Sequence, residues 1–326
     1  MMRIQSFLWV RSYYFLARAL LLLYRFVKGK SLLSSAARTY TALIFVLRLF
    51  RFYNITGGFR ICCVVLVCVA GYAQGKEQWF GFGVNLSGGY YGYEEPQVMS
   101  ISGAMYGVSG YVSATHHRFR HRLSASYFSG ITRYDGSECS VANPLVCTPL
   151  RSGSQDSYYT LEYRFGVLMY EDTDMFIYTG LGLGFWDLHN SISASSGYDR
   201  EQSYVYLPLF LHTQYAISHD MSLYGVFAYQ HLLRGYNTSH FRDLGFDNNL
   251  SFTQYRGYGV RIEIGLKRDL HEYGYHGAVA VGVYMQYWHI ADSSLDGAYR
   301  NGTLIALYHE PRNTTQALGL SVGYEF

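Results

Sequence analysis

From Trp79 to Phe326 the chain repeats one phrase, a stretch of residues alternating apolar and polar with period two, followed by a connector. Period two is the side-chain period of a β-strand, whose successive residues point to opposite faces. Segments of this kind are marked at 79–90, 101–114, 118–131, 157–170, 175–187, 203–217, 221–235, 254–267, 277–290 and 315–326. In 157–170 one face is Tyr159, Leu161, Tyr163, Phe165, Val167 and Met169, and the other carries Thr160, Glu162, Arg164 and Gly166. In 254–267 Tyr258, Val260, Ile262, Ile264 and Leu266 alternate with Gly259, Arg261, Glu263 and Gly265. The segment 221–235 alternates poorly, which leaves its facing open.

The connectors have an order of their own. Those at 115–117, 171–174, 218–220 and 268–276 are short, and those at 91–100, 132–156, 188–202, 236–253 and 291–314 are long. Short turns at one end and long loops at the other, with an even number of strands between, is the asymmetry of outer-membrane barrels, and it places both termini on the periplasmic side. Lipid offers no hydrogen bonds, so a sheet in it must close. The fold expected is all-β, an antiparallel up-and-down transmembrane barrel of about ten strands, in the outer membrane of a Gram-negative bacterium. Composition agrees. Aromatic residues make up 18% and charged residues only 15%, against about 25% charged in soluble domains. Mean hydropathy is −0.01, far from that of a helical membrane protein. A soluble β-sandwich or barrel would explain the alternation, but not the aromatic excess or the one-sided loops.

Residues 1–73 carry ten of the 26 basic residues and none of the acidic ones. The remainder is acidic, so the slightly basic isoelectric point is no signal for nucleic acid. Arg60 precedes an apolar run, Ile61 to Ala70, and then Gly71-Tyr72-Ala73. This order reads as a signal peptide over 56–73 with cleavage after Ala73. Residues 1–55 read as a long leader or as an overextended start, and 74–326 as the barrel. Cys62, Cys63 and Cys68 would leave with the signal; Cys139 and Cys147 remain, close together in a loop-like stretch. In an oxidising periplasm they read as one local disulfide.

Charges on lipid-facing positions would cost about 2–4 kcal/mol each near the midplane. Arg122, Glu162, Arg164, Arg261 and Glu263 are therefore expected in the lumen, paired across neighbouring strands and plugging it. Arg118 and Arg120 share the parity of Arg122, nearer the periplasmic rim. The twelve histidines are scattered. His116 and His117 near His121 read as a polar turn rather than a metal site, and no metal or cofactor is expected.

The chain ends Leu320-Ser-Val-Gly-Tyr324-Glu-Phe326. This phrase resembles the assembly signal of outer-membrane proteins, with Tyr324 and Phe326 as its aromatic positions. It implies the barrel-assembly machinery as a partner, besides lipid and lipopolysaccharide. Asn237-Thr-Ser-His240-Phe-Arg-Asp243-Leu resembles the fourth-loop segment of the omptins, ten-stranded outer-membrane endoproteases. The resemblance implies His240 as a catalytic base, with an acid two positions earlier and an acidic pair in the second loop. Thr238 stands where the acid belongs. Asp243 is the candidate substitute; the acidic pair has no clear match, with Asp135 and Glu138 as loose candidates. Trp288-His289-Ile290-Ala291 resembles the His-x-Ser of outer-membrane lipases, but Ala291 replaces the nucleophile; Tyr287 and Trp288 read instead as an interfacial aromatic belt. The expectation is a monomeric, non-enzymatic surface barrel with a plugged lumen, whose loops meet a surface ligand. The alternatives are an omptin-like endopeptidase or a narrow pore.

Overall fold

In the computed structural model, residues 78–139, 147–194, 197–273 and 276–326 are described; the leader and the cleavage site lie outside them. The strands are β1 (Gln78–Glu95), β2 (Met99–His116), β3 (Phe119–Cys139), β4 (Cys147–Glu171), β5 (Met175–Ile192), β6 (Asp199–Ala216), β7 (Met221–Ser239), β8 (Leu250–Gln254), β9 (Gly257–Asp269), β10 (Ala278–Ile290), β11 (Leu295–Arg300), β12 (Thr303–His309) and β13 (Asn313–Glu325). Strands β1 to β7, β9, β10 and β13 form one closed antiparallel ring of ten, in which β6 pairs with β7 and β13 pairs with β1. Closure leaves no unpaired sheet edge toward lipid. β8 continues the line of β9 beside β7, and β11 with β12 makes a separate hairpin. Among the described residues no helix is long and apolar enough to span a membrane; the crossing is by strands.

The chain ends against its own first strand. Gly83 faces Glu325 across β1 and β13, the Phe326 amide donates to the Phe82 carbonyl at 2.8 Å, and the two rings stack at 4.2 Å. Both barrel ends of the chain thus lie at the rim that carries the turns 117–118, 172–174 and 217–220.

The strands are longer than the alternation suggested. The stretches expected as long loops at 91–100, 132–156 and 188–202 are largely paired strand, and the β3/β4 pairing runs on to Cys139 opposite Cys147. The cause is a change of face. On β1, Phe80, Phe82, Val84, Leu86 and Tyr90 are exposed on the outer wall, whereas Tyr91 and Tyr93, of the opposite parity, are buried inside. Outward Leu181 and Leu183 on β5 give way to inward Trp186 and Leu188, and outward Leu209 and Leu211 on β6 to inward Tyr204 and Tyr206. The alternation continues through the switch, but its apolar phase moves to the other wall.

The switch is marked on the outer wall by exposed Tyr90, Tyr106, Tyr127, Tyr159, Tyr229 and Tyr258, a ring suited to a membrane interface. Beyond it the outer wall bears Arg133, Asp135, Asp187, His189 and Glu201. A wall that is apolar up to a tyrosine ring and polar above it belongs to a barrel set in the outer membrane and rising from it. In 221–235 the facing of β7 is regular up to Leu232, but Tyr224 and Val226 share the inward parity while Gly225 and His231 share the outward one. Tyr206 then pairs with Leu232 and Val205 with Arg234, so Leu233 is an extra residue, and this bulge reverses the facing beyond it. Trp288 corrects the expected belt. Adjacent strand residues face opposite ways, so Tyr287 stays on the outer wall while Trp288 is 1% exposed in the interior.

Candidate functional site

The lumen has two storeys. The lower, membrane-embedded one holds a cavity of about 160 Å³ lined by all the expected lumen charges, Arg122, Glu162, Arg164, Arg261 and Glu263, together with Arg120, Lys267, His212 and Glu325. The pairing differs from expectation. Arg164 Nε lies 2.5 Å from Glu162 Oε1, and Arg261 Nη2 lies 3.2 Å from Glu263 Oε2. Both pairs join residues i and i+2 on one strand, because such residues share a face and long side chains meet without crossing to a neighbour. Lys267 pairs with Glu325. Tyr206 donates to Glu162 at 2.9 Å, so this buried carboxylate has a second partner. Arg122 has no carboxylate partner among the described residues; its guanidinium lies 3.5 Å from the centre of the Tyr111 ring.

The upper storey is a core. Phe128 stacks on Tyr158 at 4.8 Å, Tyr158 meets Trp186 at 5.8 Å, Trp186 stacks on Tyr204 at 4.9 Å, and Tyr204 and Tyr206 meet Trp288 at 5.5 and 5.1 Å. Phe128 also reaches Tyr284 at 6.1 Å. These contacts link β3, β4, β5, β6 and β10 in an aromatic layer across the lumen. Tyr91, Ile101, Leu188, Leu232 and Ile290 pack with it.

Two polar nodes sit in this core. Arg200 Nη2 is 2.5 Å from Glu95 Oε1 and also pairs with Glu310. Tyr93 donates to Glu95 at 2.8 Å, and Gln202 donates to Glu310 at 3.0 Å. Glu310 lies in the connection from β12 to β13, beyond the membrane. Burial pushes it up to about 8, aided by the charge of Glu95 and opposed by Arg200. In the second node Asp156 accepts from Thr132, from Ser154 at 2.7 Å and from Asn190 at 2.9 Å. Both nodes lie beyond the residues that the alternation singles out. The available signal was a charged or amide residue at inward parity beside apolar ones, as in Arg200-Glu201-Gln202-Ser203-Tyr204.

The omptin-like candidates do not converge. His240 Nε2 lies 3.5 Å from Glu201 Oε1, and His189 Nδ1 lies 3.9 Å from the same oxygen. Asn249 is oriented by accepting the Arg242 amide at 3.1 Å, so its NH₂ faces His240 Nδ1 at 3.3 Å. His240 Nε2 points toward Glu201 but is buried without a hydrogen-bond partner among the described residues. Glu201 faces Thr238 across β6 and β7 on the exposed wall, whereas their neighbours Arg200 and Ser239 are buried inside. His240 therefore stands on the outer wall, not in the mouth of the barrel. Asp243 is exposed in the 3-10 turn after His240 and pairs with no histidine among the described residues. Asp135 pairs with Arg151 at 2.9 Å on the β3/β4 hairpin, and the Glu138 backbone carbonyl accepts from Thr148.

The other expected groups are placed as follows. Cys147 is disulfide-bonded, and Cys139 is the residue opposite it in the β3/β4 register. His121 bonds Tyr163 Oη at 2.7 Å on the outer wall, apart from the mutual ring contact of His116 and His117. His289 packs on Tyr258. Tyr324 donates to the His276 carbonyl at 2.5 Å, at the periplasmic rim. Among the described residues no group of His, Cys, Asp and Glu is arranged to hold a metal ion.

No protein-family model matches the chain, and no curated protein matches it. Among solved structures it is similar to the outer membrane protease OmpT from Escherichia coli, at 11% identity over 76% of this chain and 96% of that one, with a TM-score of 0.47. It is also similar to the translocator domain of the autotransporter NalP from Neisseria meningitidis, at 9% identity over 82% and 96%, TM-score 0.36. A third is Ail, the attachment invasion locus protein of Yersinia pestis, at 13% identity over 76% and 98%, TM-score 0.27. At such values the likeness is one of barrel form and assigns no activity.

Proposed function

We propose that this chain is a sealed, non-enzymatic surface barrel of the outer membrane, which holds a rigid extracellular storey toward partners outside the cell. The aromatic layer from Phe128 to Trp288 carries this reading. A layer of stacked rings above the lumen leaves neither a continuous water column for a pore nor a cleft for a peptide. What remains for the outside is surface. The β11–β12 hairpin supports that role. It is anchored on a small core of Phe241, Phe246, Leu250, Phe252 and Ala298, with Arg300 over the Phe246 ring. It exposes Leu295, Leu304, Ile305 and Leu307, a concentration of apolar side chains that favours a protein partner.

A second reading, an omptin-like endoprotease, draws on the approach of Glu201 to His240. An acid that orients a histidine is one half of a general-base system. Here, however, the other ring nitrogen faces Asn249 rather than a substrate.

One preparation tests both. Protein reconstituted with lipopolysaccharide is offered peptides with paired basic residues, and the same protein is placed in planar bilayers. The expected result is no cleavage above background and no single-channel steps. Cleavage abolished by His240→Ala would overturn the non-enzymatic reading, and stable conductance steps would overturn the seal.

A further inference from the structure

The lower storey is not electrically balanced. Its cavity is lined by five cationic side chains, Arg120, Arg122, Arg164, Arg261 and Lys267, and by three carboxylates, Glu162, Glu263 and Glu325. Each carboxylate has its own cation: Glu162 has Arg164, Glu263 has Arg261 and Glu325 has Lys267. The cations left over, Arg120 and Arg122, are two residues apart on β3 and point into the same space. Across the β3/β4 register Arg122 faces Arg164, a third positive group, and Arg120 faces Gly166, over which the Phe210 ring lies, so no charge opposes it there.

Among the described residues neither guanidinium makes a close ion pair; the charges of Glu263 and Glu325 reach Arg122 only from beyond contact, and aromatic rings hold both groups. Arg122 lies over the Tyr111 ring at 3.5 Å, and Arg120 lies near the Tyr178 ring at 5.6 Å. Arg120 Nη1 is 3.3 Å from His212 Nδ1, while its Nε is buried without a hydrogen-bond partner. An aromatic ring under a guanidinium fixes its plane and leaves the N–H edge free for a ligand. Like charges this close in a lumen walled by protein and lipid repel strongly unless an anion joins them. Excess positive charge, fixed planes, an unsatisfied N–H and an adjoining cavity coincide at one place.

We propose that Arg120 and Arg122, with His212 beside them, form a binding site for a small tetrahedral oxyanion of the phosphate class, which enters from the periplasm. The direction of entry follows from the fold. The aromatic layer lies above the cavity, whereas Arg120 directly follows Phe119, the first residue of β3 after the periplasmic turn 117–118. An oxyanion of this class presents several acceptors around one centre, matching N–H edges that converge from two residues. The volume of about 160 Å³ holds such an ion with some of its water. The site is independent of whether the extracellular storey has any activity.

The test uses the 74–326 barrel refolded in detergent at low ionic strength. Its urea midpoint is followed as inorganic phosphate replaces chloride at constant ionic strength, and again with glycerol 3-phosphate in place of phosphate. The expected result is a midpoint that climbs with phosphate for the wild type and for Arg133→Met, a change on the outer wall. It should be flat for Arg120→Met/Arg122→Met, with affinity down at least tenfold. Arg122→Lys should restore part of the response. A glycerol 3-phosphate response equal to that of phosphate would widen the ligand class to phosphate monoesters within the proposal, and a phosphate-only response would restrict it to the free ion. Calorimetry of phosphate on the wild type covers failure of the double variant to refold. Absence of heat beyond that of chloride, or a phosphate response that survives in the double variant, would overturn the site.

Discussion

Below the tyrosine ring the barrel carries its apolar side chains outside and its charges inside; above the ring the arrangement is reversed. The membrane storey has Leu86, Leu181, Leu209 and Val283 on its outer wall and a charged cavity within. The extracellular storey has Tyr91, Leu188 and Trp288 inside and Arg133 and Glu201 outside, like a small soluble barrel. One backbone ring runs through both. The solvent outside decides which wall is apolar, lipid below and water above. The two storeys also treat arginine differently. Arg200 above is held by two carboxylates, while Arg120 and Arg122 below rest on aromatic rings. The upper storey is built to be closed, and the lower one keeps an electrostatic imbalance.

The sharpest way to break this contrast is to remove one arginine from each storey. Arg200→Met leaves Glu95 and Glu310 buried without their cation, a change that costs about 3–5 kcal/mol when one partner of a buried pair is removed. The loss should stay in the extracellular storey. Hydrogen exchange should accelerate at 91–100 and 295–312 while the membrane segments of β2 and β9 stay slow. Adding Glu95→Gln and Glu310→Gln should restore much of the protection. Arg122→Met orphans no carboxylate and should shift global stability by no more than about 1 kcal/mol. Equal losses from the two substitutions would remove the distinction between the storeys.

The aromatic layer comes next. Trp288→Ala removes the ring that touches both Tyr204 and Tyr206. An aromatic truncation in a packed core costs about 3 kcal/mol. It should also open the layer, so that intermittent conductance appears in bilayers under conditions in which none is expected of the wild type. A destabilised variant that still conducts nothing would mean that the seal does not depend on this ring.

How legible these features are in the sequence follows from the same contrast. Period two and the order of the connectors are local signals, and they predict the ring of ten, its closure and the inward parity of Glu162, Arg164, Arg261 and Glu263. The extracellular storey reads as loops in the sequence because its apolar phase moves to the other wall at the tyrosine ring, where any one continuous apolar face ends. Tyr91 follows Tyr90 as an apparent end of strand, although pairing continues to Glu95 opposite Met99. The Arg200 cluster joins residues more than a hundred positions apart, which no local spacing reports. Likewise Glu201 reaches His240 only because β6 pairs with β7 in one register. The acid that approaches His240 comes from the neighbouring strand, not from two positions earlier in the chain, where Thr238 stands.

The smallest expected effect is one of pH, and it sharpens the contrast because it acts on one storey alone. Glu310 is raised to about 8 in the folded chain, first by burial and then by the charge of Glu95, whereas an unfolded glutamate titrates near 4.3. A carboxyl whose folded value lies above its unfolded value contributes stability that is fully present below the unfolded value. That contribution is lost as pH rises through the folded value. While protonated, Glu310 is neutral beside Arg200; once it ionises, a further negative charge is added in a buried place. Between pH 7 and 9 the attachment of the β12–β13 connection should therefore weaken by about 1–2 kcal/mol. Hydrogen exchange at 303–312, corrected for the intrinsic rate, should rise over that interval. Glu310→Gln should flatten the dependence, since an amide keeps much of the hydrogen bonding and cannot ionise. Exchange in the membrane segment of β9 should not follow the same curve. If 303–312 instead gains protection as pH rises, the charge balance assigned to Arg200 and Glu310 has the wrong sign.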